Sequence, residues 1–492
     1  MVNAPNFPLR IFFLTAEFDP FAKVGGLADY SSSLPRAVKK VADENEISLD
    51  IRIAIPYHDA FRTDLPNYKK TGNITVKNGP FVGKGVVFEF LYKGLLIYLI
   101  RRSGRASGYS TIYNPSQIDD ARKFLFFSLA AAELVKELEW QPHIVHANDW
   151  HTAMAVHQFA QLKMSEPFYD STHLLQVIHN MPYLGEGARP LLRHFGFSPT
   201  KSHQIPEWAR SLPLPMGLVA ADWITAVSPS YAEELATIEF GDGLADFFIR
   251  NRSKISGILN GIDTDKWNPQ TDACITATYS DKTIKKRIEN KKALLNELGL
   301  DPNPDKPLLI FISRLTPQKG VDILLDCLPQ MLNLEWNIVF LSTGQPIYES
   351  NLQAFQSAHP NRVRALLEFN DRMAHKLYAG GDILLMPSLY EPCGLSQMIA
   401  MHYGCIPVAS AVGGLKDSII PYPNVGSTGY LFKPSDETAF IHSLESALES
   451  FNRPEIWVPM QIRAMKKDFS WTSSARQYLE LYQRLVFENA RA

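Results

Sequence analysis

The stretch FISRLTPQKGVDILL, Phe311 to Leu325, decides the fold. It begins inside an apolar run, Leu308 to Ile312, that reads as a parallel strand covered on both faces, because such strands are near-continuous in branched and aromatic side chains. Just past Gly320 the pattern turns helical, so Arg314 and Lys319 share one strand-to-helix loop. Open α/β sheets bind ligands at the carboxyl ends of their strands, where such loops stand. Arginine offers a planar fork to phosphate oxygens and lysine a compact point charge, a pair suited to a diphosphate leaving group. Two cations on a loop are usually just solvated. Their position after a buried strand favours binding.

Downstream, YEPCGLSQMIAMHYGCIPVAS (Tyr390 to Ser410) repeats the arrangement with a carboxylate in place of the cations. A helix beginning near Gly394 turns the N–H groups of Gly394, Leu395 and Ser396, next to Cys393, toward an anion. Glu391 precedes it by three residues. A carboxylate does not bind phosphate, so its partners are hydroxyls or a centre that becomes cationic during reaction, and both fit the glycosyl group of a nucleotide sugar. The plainer reading is that Glu391 caps a helix and Cys393 and Gly394 make a turn. Taken alone, the segment does not choose between them.

LRIFFLTAEFDPFAKVGGLADYSSSLPRAV (Leu9 to Val38) supplies the same design at the other end of the chain. Leu9 to Leu14 is a short apolar strand, and Gly25 and Gly26 open an amphipathic helix through Leu27, Tyr30, Leu34 and Val38, with Lys23 just ahead of it. The pair is not GxGxxG and by itself serves loop geometry. The second strand, glycine and lysine arrangement in the other half gives it weight.

Composition allows this reading and removes others. The 492 residues suffice for two or three domains, and 46% hydrophobic content supplies their cores. A formal net charge of −2 and the lack of a basic run with interleaved aromatics give no pull toward nucleic acid or an anionic membrane. The 4 cysteines show no CxxC spacing, so neither a disulfide framework nor a zinc site is expected. MVNAPNFPLRIFFL reaches an apolar strand without a basic leader or a long apolar segment, which predicts a soluble cytoplasmic protein, or a stromal one in a plastid.

The order of elements predicts two α/β halves. Strands are expected near Leu9, at Asp50 to Pro56, His143 to His146, Leu174 to His179 and Trp223 to Val227, with a helix from Asp120 to Leu138 and a hairpin from Val86 to Arg101 turning at Lys93 and Gly94. The second half has strands at Leu308 to Ile312, Asn337 to Leu341, Arg362 to Leu366, Asp382 to Met386 and Ile406 to Ala409. A linker and lead-in helix fall between Asn268 and Pro307, and Trp471 to Phe487 is an amphipathic helix. The trio His146, His151 and His157 lacks HExxH spacing and convergent carboxylates, so no metal centre is read there.

KVGGLADY, HANDWHTAMA, TAVSPSYAEEL, GILNGIDTDKWNP, SRLTPQKGVD and EPCGLSQ, in this order along the chain, resemble the glycogen and starch synthases of glycosyltransferase family 5. The resemblance runs from residue 9 to about residue 485. It implies the GT-B fold, two Rossmann-like doubly wound domains facing across a cleft: residues 1–262 for acceptor and catalysis, 263–470 for the nucleotide sugar, and a helix over 471–492 that crosses back to the first. It also implies retaining transfer of glucose from ADP-glucose to the non-reducing 4-hydroxyl of an α-1,4-glucan, with no cofactor, metal, nucleic acid or membrane.

Residue by residue, His151 and Asn260 match sugar-contacting positions, Asp119 an acidic residue near the transferred glucose, and Glu17 an acceptor-side position. The implied donor group is Lys23, Gly25, Gly26, Arg314, Lys319, Cys393, Gly394, Leu395 and Ser396, with Glu391 at the sugar. Retention then proceeds either by same-face attack of the glucan 4-hydroxyl, the leaving phosphate taking its proton, or through a covalent glycosyl enzyme; the former is favoured because no paired carboxylates are evident. The chain departs from the pattern at HANDWH, where the family motif is HxHDWH and Asn148 stands in the middle, and in the loop HNMPYLGEG. It departs again at Leu389, where arginine is common, at Ser342, where glycine is usual, and at Ser396, a hydroxyl-preserving change from threonine. Two alternatives stand beside the synthase reading: a related GT-B transferase using UDP-glucose or another acceptor, and a catalytically silent glucan-binding scaffold.

Overall fold

The computed structural model describes residues 8–58, 61, 67–104 and 111–487. Residues 1–7, at the start of the segment read for a leader, and 105–110, inside the loosely matched loop before Asp119, lie outside the described residues. The chain divides into two compact units: Met1–Asn260 with Trp471–Ala492, and Gly261–Ser470.

Unit 1 begins β1 (Leu9–Leu14), α1 (Gly26–Glu44), β2 (Leu49–Pro56), β3 (Lys69–Asn78), β4 (Phe81–Tyr92), β5 (Leu95–Arg102) and α2 (Gln117–Glu137). It continues β6 (Ile144–Asn148), α3 (Asp149–Lys163), β7 (His173–Ile178), α4 (Pro213–Ala220), β8 (Trp223–Ala226), α5 (Pro229–Glu234), α6 (Ala245–Arg250) and β9 (Ile255–Gly257). Unit 2 runs α7 (Arg287–Leu298), β10 (Leu308–Ile312), α8 (Val321–Cys327), β11 (Asn337–Leu341), α9 (Pro346–Ala358), β12 (Val363–Leu366), α10 (Asp371–Gly380) and β13 (Ile383–Met386). It closes with α11 (Ser396–His402), β14 (Ile406–Ser410), α12 (Gly413–Ser418), β15 (Tyr430–Phe432), α13 (Glu437–Phe451) and α14 (Pro454–Lys466), after which α15 (Trp471–Phe487) completes unit 1.

The first sheet has nine strands in the order β3-β4-β5-β2-β1-β6-β7-β8-β9, and only β4 runs against the rest. The second is six-stranded and parallel, β12-β11-β10-β13-β14-β15. In each sheet the strand order reverses once near the middle. In unit 1 the chain steps from β1 out to β2 and later returns to β6 on the other side of β1; in unit 2 it steps from β10 to β11 and β12, then returns to β13 beside β10. Loops leaving two such neighbouring strands diverge and open a crevice at the carboxyl edge.

The expected central strands and the hairpin at Lys93 and Gly94 are present. β3 was not read from the sequence because only Ile74 and Val76 of KKTGNITVKN are buried, too short an alternation to register. The strand expected at His143 to His146 instead runs to Asn148 and passes straight into α3, with Asp149 at φ 54° making the turn. A non-glycine residue in the left-handed region is strained, and here it stands at the crevice of unit 1.

The last helix is built into unit 1 by a buried polar hub. His146 of β6 stacks on Phe13 of β1, with ring centroids 4.4 Å apart. Its Nε2 lies 3.0 Å from the Tyr30 hydroxyl of α1 and its Nδ1 2.8 Å from the Tyr482 hydroxyl of α15, while Tyr30 donates to Tyr478 at 2.9 Å. Burial lowers the imidazole pKa to about 3, with His179 adding to the effect. Burial also lowers His58 and His179 to about 3, Lys123 contributing at His58, and His157 to about 4.

A histidine whose pKa is depressed in the folded state contributes stability above its unfolded value of about 6.5 and loses it as pH falls toward the folded value. Asp149 has the opposite sign. Burial raises it to about 7 against the N–H groups of His179 and Asn180, with Glu17 adding, so its penalty is relieved on acidification. These four histidines outweigh Asp149 and leave unit 1 acid-labile, at roughly 2 kcal/mol for each of the four by pH 5. Hydrogen exchange at pH 5 and pH 7 checks this: amides of β1, β6 and β7 lose protection on acidification more than those of β10, β11 and β13. Equal loss in both units would overturn it.

Candidate active site

In unit 2 the crevice loops are locked to each other. Gly320 caps α8 at φ 66°, and a side chain there would place Cβ 1.9 Å from the Pro387 carbonyl oxygen, so only glycine lets the β10 loop lie on the β13 loop. The Leu389 N–H donates to the Gln318 carbonyl at 2.9 Å. This backbone contact carries Lys319 onto Glu391: Nζ is 2.6 Å from Oε2, with side chains 15% and 8% exposed. The Ser388 hydroxyl donates to the same oxygen at 3.1 Å. Arg314 stands exposed on the same loop, with no carboxylate partner among the described residues.

The segment after Glu391 is pinned from beneath. Gln397, fully buried on α11, donates through Nε2 to the carbonyls of Cys393 (3.1 Å) and Gly394 (2.9 Å) and to Ser418 (3.0 Å). Gly394 has φ 71°, and Gly414, at the head of α12, packs against the Cys393 carbonyl so closely that a Cβ would sit 2.0 Å from it. The Cys393 thiol turns to the Gly394 carbonyl at 3.5 Å, and the Ser396 hydroxyl bonds to Tyr378. The N–H groups of Gly394 and Leu395 donate to nothing among the described residues. α11 starts at Ser396, two residues later than the sequence suggests, because Gly394 is left-handed.

In unit 1 the loops after β1 and β6 carry the other sequence-selected residues. Glu17 is buried; its Oε2 accepts the N–H groups of Val24 (2.8 Å) and Gly25 (2.9 Å), and its Oε1 accepts the Tyr113 hydroxyl (2.6 Å). Its carboxylate therefore holds the glycine loop at the head of α1. Lys23 lies 2.7 Å from Asp29 and 3.4 Å from Asp19; burial lowers its pKa, but the two carboxylates outweigh it and hold the ammonium above the ordinary lysine value. Gly25 has an extended backbone, and a Cβ there would meet nothing within 4 Å. Neither strain nor packing requires glycine at that position, and the space in front of the loop stays clear. Gly26 is the first residue of α1.

His151 is the third residue of α3 and is buried against Tyr113, Phe124 and Trp150, with ring centroids 5.1, 4.7 and 4.5 Å away. Burial, then Lys123, His179 and His58, depress its pKa well below the ordinary value, so the ring is neutral. Its Nδ1 is buried without a hydrogen-bond partner, as is Oδ1 of Asn260, beyond the end of β9. Each is open to a hydrogen bond from a bound group. Asp119, on the first turn of α2, is half-exposed and pairs with Arg122 at 3.1 Å, while the buried Asp120 is taken up by Asn114 and Lys123.

The departures have local roles. Asn148 ties the strand ends together, donating to the Leu14 carbonyl at 2.8 Å with Oδ1 2.9 Å from His179 Nε2. Ser342 ends beside β11 with its buried hydroxyl unpaired. Sequence reasoning passed over Phe369, an 87% exposed ring three residues beyond β12. Its signal was an aromatic beside the polar Asn370 and Asp371 on a strand-to-helix loop. Among the described residues no helix is long and apolar enough to cross a membrane.

Comparison with known proteins follows the same division of the chain. Residues 10–250 match the family described as starch synthase catalytic domain, and residues 299–459 match glycosyl transferases group 1. Curated glycogen synthases of Clostridium perfringens (35% identical, covering 97% of this chain and 98% of the relative) and Cellvibrio japonicus (36%, 96% and 99%) align end to end. The solved catalytic domain of starch synthase IV from Arabidopsis thaliana, bound to ADP and acarbose, superposes with a TM-score of 0.85 at 31% identity over 98% of this chain and 100% of that one. The fold is GT-B. With both halves and the full length matched, this chain belongs to family 5 of the glycosyltransferases, the glycogen and starch synthases.

Proposed function

We propose that the chain transfers glucose from ADP-glucose to the non-reducing 4-hydroxyl of an α-1,4-glucan with retention of configuration. The observation that carries this is the Lys319–Glu391 pair at the unit 2 crevice, with Arg314 exposed on the same loop. Breaking the anomeric C–O bond of a nucleotide sugar puts negative charge on the departing phosphate and positive charge on the sugar. Arg314 and Lys319 stabilise the first, supported by the free N–H groups of Gly394 and Leu395. Glu391 faces the second. In unit 1, His151 Nδ1 and Asn260 Oδ1 are assigned to sugar hydroxyls, since each is a buried atom lacking a partner, and the half-exposed Asp119 of α2 is assigned likewise.

With Glu17 engaged by the glycine loop and Tyr113, its part is to hold Val24 and Gly25 rather than to meet the acceptor. The donor assignment is supported by the ADP held in the Arabidopsis relative. Phe369 supports a planar base: β12 lies two strands from β10, about 10 Å at ordinary strand spacing, roughly the reach from diphosphate to base. No metal is assigned to the transfer step, because the two cations and the backbone N–H groups provide the charge.

The test is ADP and UDP release from ADP-glucose and UDP-glucose, with and without malto-oligosaccharide or glycogen. Acceptor-dependent ADP release with chain elongation is expected. Phe369→Ala should raise donor KM by about tenfold, from loss of roughly 1–3 kcal/mol of stacking, with kcat little changed. Release from UDP-glucose alone, or binding without release, would overturn the proposal.

A further inference from the structure

Unit 2 holds another cluster that shares no residue with the site above. Asp272 follows the GIDTDKWNP segment, and its Oδ2 lies 2.7 Å from His375 Nδ1 of α10 and accepts the Tyr403 hydroxyl at 2.6 Å. The Cys274 N–H donates to Asp272 Oδ1 at 2.8 Å, and this turn brings the thiol to the same point: carboxylate oxygen, imidazole nitrogen and sulfur all lie within 4.8 Å of one another. Trp267 stacks on the His375 ring, with centroids 4.0 Å apart and planes 16° from parallel, which fixes the plane of the ring. Asp272 and His375 are buried and Cys274 half-buried, so the thiol is the more accessible member.

One oxygen, one nitrogen and one sulfur donor suit a borderline-soft cation and do not suit Mg²⁺ or Ca²⁺, which take oxygen ligands. Zinc bonds of about 2.0–2.3 Å in tetrahedral geometry require donor separations of roughly 3.3–3.7 Å. The Asp272–His375 pair, 2.7 Å apart, opens by roughly half an ångström to meet this, and the sulfur closes on both from within 4.8 Å. Tyr403, still donating to the carboxylate, would orient it from the outer shell.

We propose that Asp272, Cys274 and His375 form a site for Zn²⁺ or a similar thiophilic divalent cation, with water in the fourth position. On binding, the Cys274 thiol loses its proton to solvent, His375 presents the Nδ1 lone pair with its proton on Nε2, and Asp272 stays ionised, so one proton is released per ion. The ion fastens the segment after residue 267 to α10 and takes no part in glycosyl transfer.

The test uses the metal-freed full chain and Cys274→Ser, which keeps the Asp272–His375 and Asp272–Tyr403 hydrogen bonds and so the fold. Titration with Zn²⁺ should show one equivalent bound and a rise in Tm. Co²⁺ should give a thiolate-to-cobalt charge-transfer band. In Cys274→Ser the band should vanish and zinc affinity fall about tenfold or more. A parent chain without the band, or a band that survives in Cys274→Ser, overturns the proposal.

Discussion

Lys319→Ala lowers kcat by roughly 100-fold or more, the cost of removing one preorganised charge-stabilising group from the departing phosphate. The same substitution leaves Glu391 almost buried with only the Ser388 hydroxyl against it, so Tm falls as well. The two effects separate in a cycle. Adding Glu391→Gln removes the stranded charge and returns much of the lost stability, while turnover stays down because the phosphate cation is still missing. Acceptor-dependent ADP release and a thermal melt on the four proteins measure this. Turnover of Lys319→Ala within twofold of the parent would remove Lys319 from the mechanism.

Gly320→Ala is expected to be as damaging although it touches no substrate. Its Cβ would lie 1.9 Å from the Pro387 carbonyl, on a backbone at φ 66° that itself costs an alanine about 1–2 kcal/mol. The β10 and β13 loops must part, which breaks the Leu389–Gln318 hydrogen bond and draws Lys319 from Glu391. Misplacement of a catalytic group by about 1 Å costs on the order of 100-fold in rate. Gly426→Ala is the control: φ is 82° but a Cβ meets nothing within 4 Å, so it carries the backbone strain alone and should leave turnover unchanged. Equal activity in the two variants would show that loop contact does not set the site.

The central strands were legible because parallel strands buried on both faces advertise themselves as apolar runs; LLIFI and NIVFL have the bounds expected of them. β3, with two buried residues, carried no such signal, and β15 is three residues long. Arg314, Lys319 and Glu391 were legible as residue types in the right loops. Their pairing was not, because it depends on two glycines, Gly320 and Gly414, packed against backbone carbonyls far away in sequence. Glu17 shows the same limit from the other side: its place after β1 is plain in the sequence, but its two partners seven and eight residues on, and Tyr113 ninety-six residues on, exist only in the fold. Phe369 escaped notice because exposure is not written in a sequence.

The hub of His146, Tyr30, Tyr478 and Tyr482 has a consequence for how the molecule is made. Three of its elements, β1, α1 and β6, are synthesised within the first 148 residues, but the two tyrosines that complete it belong to the last helix. During translation the amino-terminal unit waits through the whole of unit 2 with a fully buried position still open and His146 Nδ1 unmatched. A nascent chain stalled before residue 471 is therefore a natural client for a chaperone, and synthesis of α15, not emergence of the first domain, is the event that finishes it.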